Sequence, residues 1–154
     1  GLVCVSDSND GRLLALMDAG AITALRTGAV AAVAAQELAR EDAVSAGIVG
    51  CGLHGTWAAR CLAAAEYGPG VCFDVDPDRA GALAGELGWE AGTLEEALGC
   101  DVVTCVTPGH QPVVTEASLR PGMHLSMLGA DGLAIVPRGN GSVDMGDTVK
   151  FEQL

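Results

Sequence analysis

Apolar and polar positions change their rhythm along the chain, and the changes mark out its elements. An alternating apolar segment, Leu2 to Val5, is followed by the turn signal Ser8-Asn9-Asp10-Gly11 and a second apolar run, Leu13 to Met17, which predicts a β-hairpin. From Asp18 a long helix is expected through Ala21, Ile22, Leu25, Ala29, Val33 and Leu38 to about Arg40. Its middle is apolar on every side, a pattern that predicts burial, so Arg26 either finds a partner there or is a surface arginine near the helix start. The apolar strand Ala46 to Val49 comes next, then a helix through Ala58, Ala59, Leu62 and Ala65, then the strand Val71 to Phe73. Asp78 is expected to start another helix, Thr93 to cap a short one through Leu98, and Asp101 to Val106 and His124 to Leu128 to be strands. Strands alternating with helices imply a parallel sheet with right-handed crossovers. The character changes at Leu133, after which Pro137 to Ser142 reads as a turn and Thr148 to Phe151 as one more strand.

Between the third expected strand and its helix lies Gly50-Cys51-Gly52-Leu53-His54-Gly55. In such a turn the first glycine bends the chain sharply, the second lets backbone approach a pyrophosphate, and the third lets helix pack on strand. A carboxylate about 20 residues later, at the end of the following strand, accepts hydrogen bonds from an adenosine ribose and repels a 2′-phosphate. Asp74 stands there, with Asp76 as the alternative if the strand runs longer, so the preferred cofactor is NAD over NADP. The fold class expected is α/β, a Rossmann-type doubly wound parallel sheet.

Composition narrows the partners. Apolar residues make up 49% and aromatics only 3%, so the core must be built from Ala, Val and Leu. A net charge of −12 repels nucleic acid but leaves a small anionic cofactor free to bind backbone N–H groups. The six cysteines are scattered without metal-ligand spacing, which predicts reduced thiols and no metal. No secretory leader and no apolar run long enough to span a bilayer are visible, so no membrane association and a cytoplasmic location are expected.

The run from Leu16-Met17-Asp18-Ala19 through Ile22-Thr23-Ala24-Leu25-Arg26-Thr27-Gly28-Ala29, the Gly47-Ile48-Val49-Gly50-Cys51-Gly52 turn, Val103-Thr104-Cys105-Val106-Thr107, Pro121 to Leu125 and Leu128-Gly129-Ala130-Asp131-Gly132 together resemble the ornithine cyclodeaminase/mu-crystallin family in order and spacing. The resemblance implies an oxidoreductase or cyclodeaminase that uses NAD on an amino acid or cyclic imine, in a homo-oligomer or with a complementing chain. It implies that Arg26 binds the substrate carboxylate or the cofactor phosphates, that Asp131 is the general acid/base at the substrate amine, and that Thr107, Met127 and Leu128 line the nicotinamide side. The cofactor set is then Gly50, Cys51, Gly52, Leu53, His54, Gly55 and Asp74 with those three. The resemblance also divides the chain into a hairpin and helix remnant of a substrate/dimerisation domain (1–45), the dinucleotide-binding domain (46–132) and a divergent tail (133–154). Past Asp131-Gly132 the family's usual Pro-Gly-Lys is replaced by Leu133-Ala134-Ile135, so its lysine has no counterpart here, and a partial chain is expected. Two other expectations stand beside this: a non-catalytic dinucleotide-binding or assembly module, and a reduced enzyme pairing Asp131 with His110 or His124.

Overall fold

The computed structural model describes residues 1–107 and 113–128, with the backbone of 133–135 and 150–152. Its centre is a five-stranded parallel sheet made of β3 (Ala46–Val49), β4 (Gly70–Phe73), β5 (Glu90–Ala91), β6 (Val102–Cys105) and β7 (His124–Met127), in the order β5-β4-β3-β6-β7. The connections are α2 (Leu53–Ala64), α3 (Pro77–Leu87), α4 (Leu94–Leu98) and a 3-10 turn, Glu116–Ser118. The order reverses direction between β3 and β6, which is the doubly wound arrangement, and the crevice at that reversal lies beyond the carboxyl ends of the strands. Before the sheet come the antiparallel hairpin β1 (Leu2–Ser6) and β2 (Leu13–Asp18) and the 20-residue helix α1 (Ala19–Leu38). After it, β8 (Leu133–Ile135) and β9 (Lys150–Glu152) pair antiparallel.

The strands are apolar because both faces of the sheet are covered. Ile48, Val102 and Cys72 face one layer with Ala58, Leu62, Ala80 and Leu83; Val49, Val103 and Cys105 face the other with Ala97 and Leu98. Ile48, Val49, Leu62, Val102 and Val103 are fully buried, each worth about 1.5–3 kcal/mol of hydrophobic stabilisation. The small residues expected from the composition act at one crossing. Ala24, Gly28, Ala31, Ala32 and Ala35 form the buried side of α1, and a Cβ on Gly28 would come within 2.6 Å of the Trp57 backbone in α2. The α2 helix is tied to α3 in turn by the two-pronged Arg60–Glu86 ion pair, at 2.7 and 3.0 Å, with the guanidinium over the Trp57 ring.

Three expectations change. The α1 helix is not buried all round: Leu25, Val30, Val33 and Leu38 are exposed, and Arg26 lies on that open side. Its apolar look came from alanines that serve one contact stripe and from valines and leucines that stay largely open to solvent among the described residues. The α3 helix starts at Pro77, with Asp76 as its N-cap, one position earlier than expected, because proline's fixed φ suits the first helical turn. The two-residue strand β5 was not anticipated, being too short to show a rhythm. None of the cysteines is in a disulfide, and no helix among the described residues is long and apolar enough to cross a membrane.

Candidate dinucleotide-binding site

The glycine turn sits where the ends of β3, β4 and β6 converge. Gly50 donates its N–H to Phe73 O at 2.8 Å, and Val106 donates to Val49 O at 2.8 Å, so the turn is stitched to both neighbouring strands. Each glycine has a distinct local reason. Gly50 has φ +97° and lies so close to β6 that a Cβ would meet Val106 O at 2.7 Å. At Gly55 a Cβ would overlap Gly50 O, which lets α2 pack tightly on the turn. A Cβ at Gly52 would meet nothing within 4 Å, so that glycine borders open space.

Gly52 is also the N-cap of α2, and no side chain caps that helix, whereas α1, α3 and α4 are capped by Asp18, Asp76 and Thr93. The first N–H groups of α2 are left to a ligand or water, and with the helix dipole they favour an anion. Asp74 forms the second wall. Its carboxylate accepts from Cys51 N–H at 2.6 Å and from Asp76 N–H at 2.9 Å, holding the turn against the end of β4 while keeping further acceptor capacity. Beyond Asp74 opens a cavity of about 560 Å³, bordered by Phe73, Val75, Pro77, Ala80, Thr93 and Leu94, apolar on most of its lining. Beneath the turn the Cys51 thiol donates to Phe73 O at 3.5 Å, and the neighbouring Cys72 thiol together with burial holds it protonated.

On the β6 and β7 side, Thr107 follows β6 with its hydroxyl oxygen buried and without a hydrogen-bond partner, and His54 Nδ1 in the turn is in the same state. Buried polar atoms left without partners cost stability and are satisfied when a ligand or water arrives. Met127 ends β7 and Leu128 follows it at the same sheet edge; both are half-buried, Leu128 donating its N–H to Cys105 O at 2.9 Å. They pack into opposite layers, Met127 with Val49 and Val103 and Leu128 with Ile48 and Val102. Asp131 and His110 lie outside the described residues.

The chain matches the ornithine cyclodeaminase/mu-crystallin family over residues 1–134. It belongs to that family. It is 34% identical over 137 residues to an alanine dehydrogenase of Archaeoglobus fulgidus, and 34% identical over 141 residues to an L-lysine cyclodeaminase of Streptomyces rapamycinicus, covering 85% of this chain in each case. Among solved structures, the Thermococcus litoralis Delta(1)-pyrroline-2-carboxylate reductase, in complex with NADH and L-proline, superposes with TM-score 0.75 at 30% identity over 84% of this chain. The chain spans 42% and 41% of the two curated relatives and 43% of the reductase.

For a member of the ornithine cyclodeaminase/mu-crystallin family, Arg26 sits at an informative height. Arg40, just past the end of α1, pairs with Asp101 immediately before β6, so α1 descends from the glycine-turn edge of the sheet to the opposite edge. Gly28 is level with Trp57, the fifth residue of α2, which places Arg26 near the height of the first turn of α2. It makes no ion pair with the described residues, so the partner that burial would have demanded is not needed. His124 lies at the edge of the sheet opposite the glycine turn. It opens β7 at the far edge, about 10 Å of strand from Met127, where it bonds Ser126 Oγ at 3.1 Å and burial depresses its pKa. Two features were missed in the sequence. The bond from Cys51 N–H to Asp74 was invisible because it uses backbone, and Gly28, although it stands in the quoted run, carried no spacing signal for a helix crossing.

Proposed function

We propose that the chain is the NAD-binding part of an enzyme that oxidises an amino acid to its imine, or reduces or cyclises such an imine, as its relatives' names describe. The observation that carries this is the open cradle at Gly52, between the uncapped start of α2 and the backbone-anchored carboxylate of Asp74. The residues present fit a dinucleotide: the turn from Gly50 to Gly55 would hold the pyrophosphate, Asp74 the adenosine ribose, and the cavity beyond it the adenine. Thr107, Met127 and Leu128 would flank the nicotinamide, where the orphaned Thr107 hydroxyl has a donor and an acceptor to offer. When bound, NAD supplies a hydride acceptor for the Cα–H of an amino acid. Arg26 orients the substrate carboxylate or a cofactor phosphate from its place near the first turn of α2, and Asp131 moves the proton at the substrate nitrogen. The protein works in a reducing cytoplasm as a homo-oligomer or with a complementing chain.

A second proposal, a dinucleotide-binding module that assembles with another chain, is favoured by the exposed apolar hairpin, in which Leu2, Leu13, Leu14 and Leu16 are all more than half exposed. Calorimetric titration with NAD and NADP tests the common part. NAD should bind and NADP bind more weakly, and Asp74→Ala should weaken NAD at least tenfold. Binding of neither dinucleotide sinks both proposals. Turnover of ornithine, lysine or alanine on addition with NAD supports the enzyme, whereas a monodisperse monomer that binds no apolar dye counts against the module.

A further inference from the structure

Asp76 was the alternative ribose acceptor in the sequence, and the structure gives its carboxylate a different occupation. Oδ1 accepts from Asp78 N–H at 3.1 Å and caps α3, while Oδ2 faces Arg79 Nε at 3.2 Å. The backbone N–H of the same residue donates to Asp74 Oδ1, so the two carboxylates sit on adjacent steps of one turn. Val75 between them is 93% exposed and offers an anion nothing. Arg79, in the first turn of α3, is the first cation after Asp74. The remaining described arginines are committed or distant: Arg60 to Glu86 across α2 and α3, Arg40 and Arg120 to the opposite end of the sheet, Arg12 to the hairpin turn, and Arg26 to α1.

We propose that Asp76 is a specificity-determining residue for the dinucleotide, holding Arg79 away from the place a 2′-phosphate would occupy. This rests on the proposed NAD site. An arginine in the turn after the ribose acid is the usual means of accepting the extra phosphate, through two parallel N–H bonds to its oxygens. This chain carries such an arginine, and a neighbouring carboxylate holds it in an i,i+3 ion pair, with Nε 3.2 Å from Asp76 Oδ2. NADP is therefore refused twice, by the charge of Asp74 at the ribose and by the capture of Arg79. Both members of the pair are partly solvent-exposed, so it biases Arg79 only modestly, and removal of the Asp76 carboxylate leaves the guanidinium free to turn to a phosphate. Removal of Asp74 alone leaves the second barrier in place.

The test uses the full chain and titrates NADH and NADPH by the rise in nicotinamide fluorescence. The variants are Asp74→Ser, Asp74→Ser with Asp76→Ser, and that pair with Arg79→Ala. Serine keeps the N-cap of α3, and Asp76→Asn is the second variant should serine lower the melting temperature. The double variant should bind NADPH about tenfold more tightly than Asp74→Ser alone, and Arg79→Ala should erase that gain. Equal NADPH affinity in the single and double variants overturns the proposal. So does a gain that survives Arg79→Ala, since mere loss of negative charge would then explain it. If the unaltered chain binds neither dinucleotide, the proposed function falls and this inference with it; if it binds NADH and only the gain is missing, this inference alone falls.

Discussion

Gly52 and Gly55 are three residues apart and separable by experiment. Gly52 has ordinary negative φ and open space where a Cβ would go, so Gly52→Ala should fold with a melting temperature within about 2 °C of the parent. The same methyl group would stand where the pyrophosphate approaches, and NAD affinity should fall at least tenfold in the same titration. Gly55→Ala puts a Cβ onto Gly50 O and should destabilise the fold by about 3 kcal/mol or more by denaturant unfolding. Equal loss of stability in both variants would show that the open cradle is wrongly placed. These glycines and Asp74 were legible in the sequence because their spacing has a mechanism. The dual use of Asp74 was not legible, since it depends on where backbone N–H groups point after the strand ends, and the engagement of Asp76 with Arg79 was not, since it depends on where α3 begins.

Elements succeed or fail by how they touch. The α1–α2 crossing depends on Gly28, and Gly28→Ala should cost about 1–3 kcal/mol, because backbone rather than a flexible side chain is in the way. At the lower edge of the sheet, Asp101 binds the linker into β3: its carboxylate accepts from Val44 N–H, Ser45 N–H, Ser45 Oγ and Arg40. Those bonds, the Ser45 backbone foremost, hold its carboxyl well below the usual range. A depressed carboxylate stabilises the fold fully above its unfolded pKa of about 3.9 and progressively less as pH falls through and below that value. His124 acts in another window. Burial lowers its pKa, so the fold favours neutral imidazole and loses that preference as pH drops through about 6.5. Thermal melts should therefore show two losses on acidification, the lower one flattened in Asp101→Asn and the upper one absent in His124→Gln. The strands β3, β4, β6 and β7 were readable from their apolar runs, but β5 pairs through two residues and leaves no rhythm. The burial expected of α1 failed because alanine looks equally apolar on a contact stripe and in water.

For the whole molecule, charge and exposed apolar surface act in opposite directions. Twenty acidic against eight basic side chains repel one another across a small surface, and raising salt from about 0.01 to 0.15 M shortens the screening length from about 30 to 8 Å. The melting temperature should rise over that interval, and a fall would mean that ion pairs such as Arg60–Glu86 outweigh the general repulsion. The exposed leucines of the hairpin should bind an apolar dye, and Leu14→Ser with Leu16→Ser should reduce that signal without shifting the melt by more than about 2 °C.

The strand order has a consequence for the chain as it is made. The central strand β3 is the first of the sheet to leave the ribosome, and β4 and α2 follow directly to cover one of its flanks. Its other neighbour, β6, begins at Val102, so one edge of this fully buried strand waits for more than fifty further residues to be translated. During that interval the nascent protein exposes an unpaired strand edge, and this is the moment at which a chaperone protects it best.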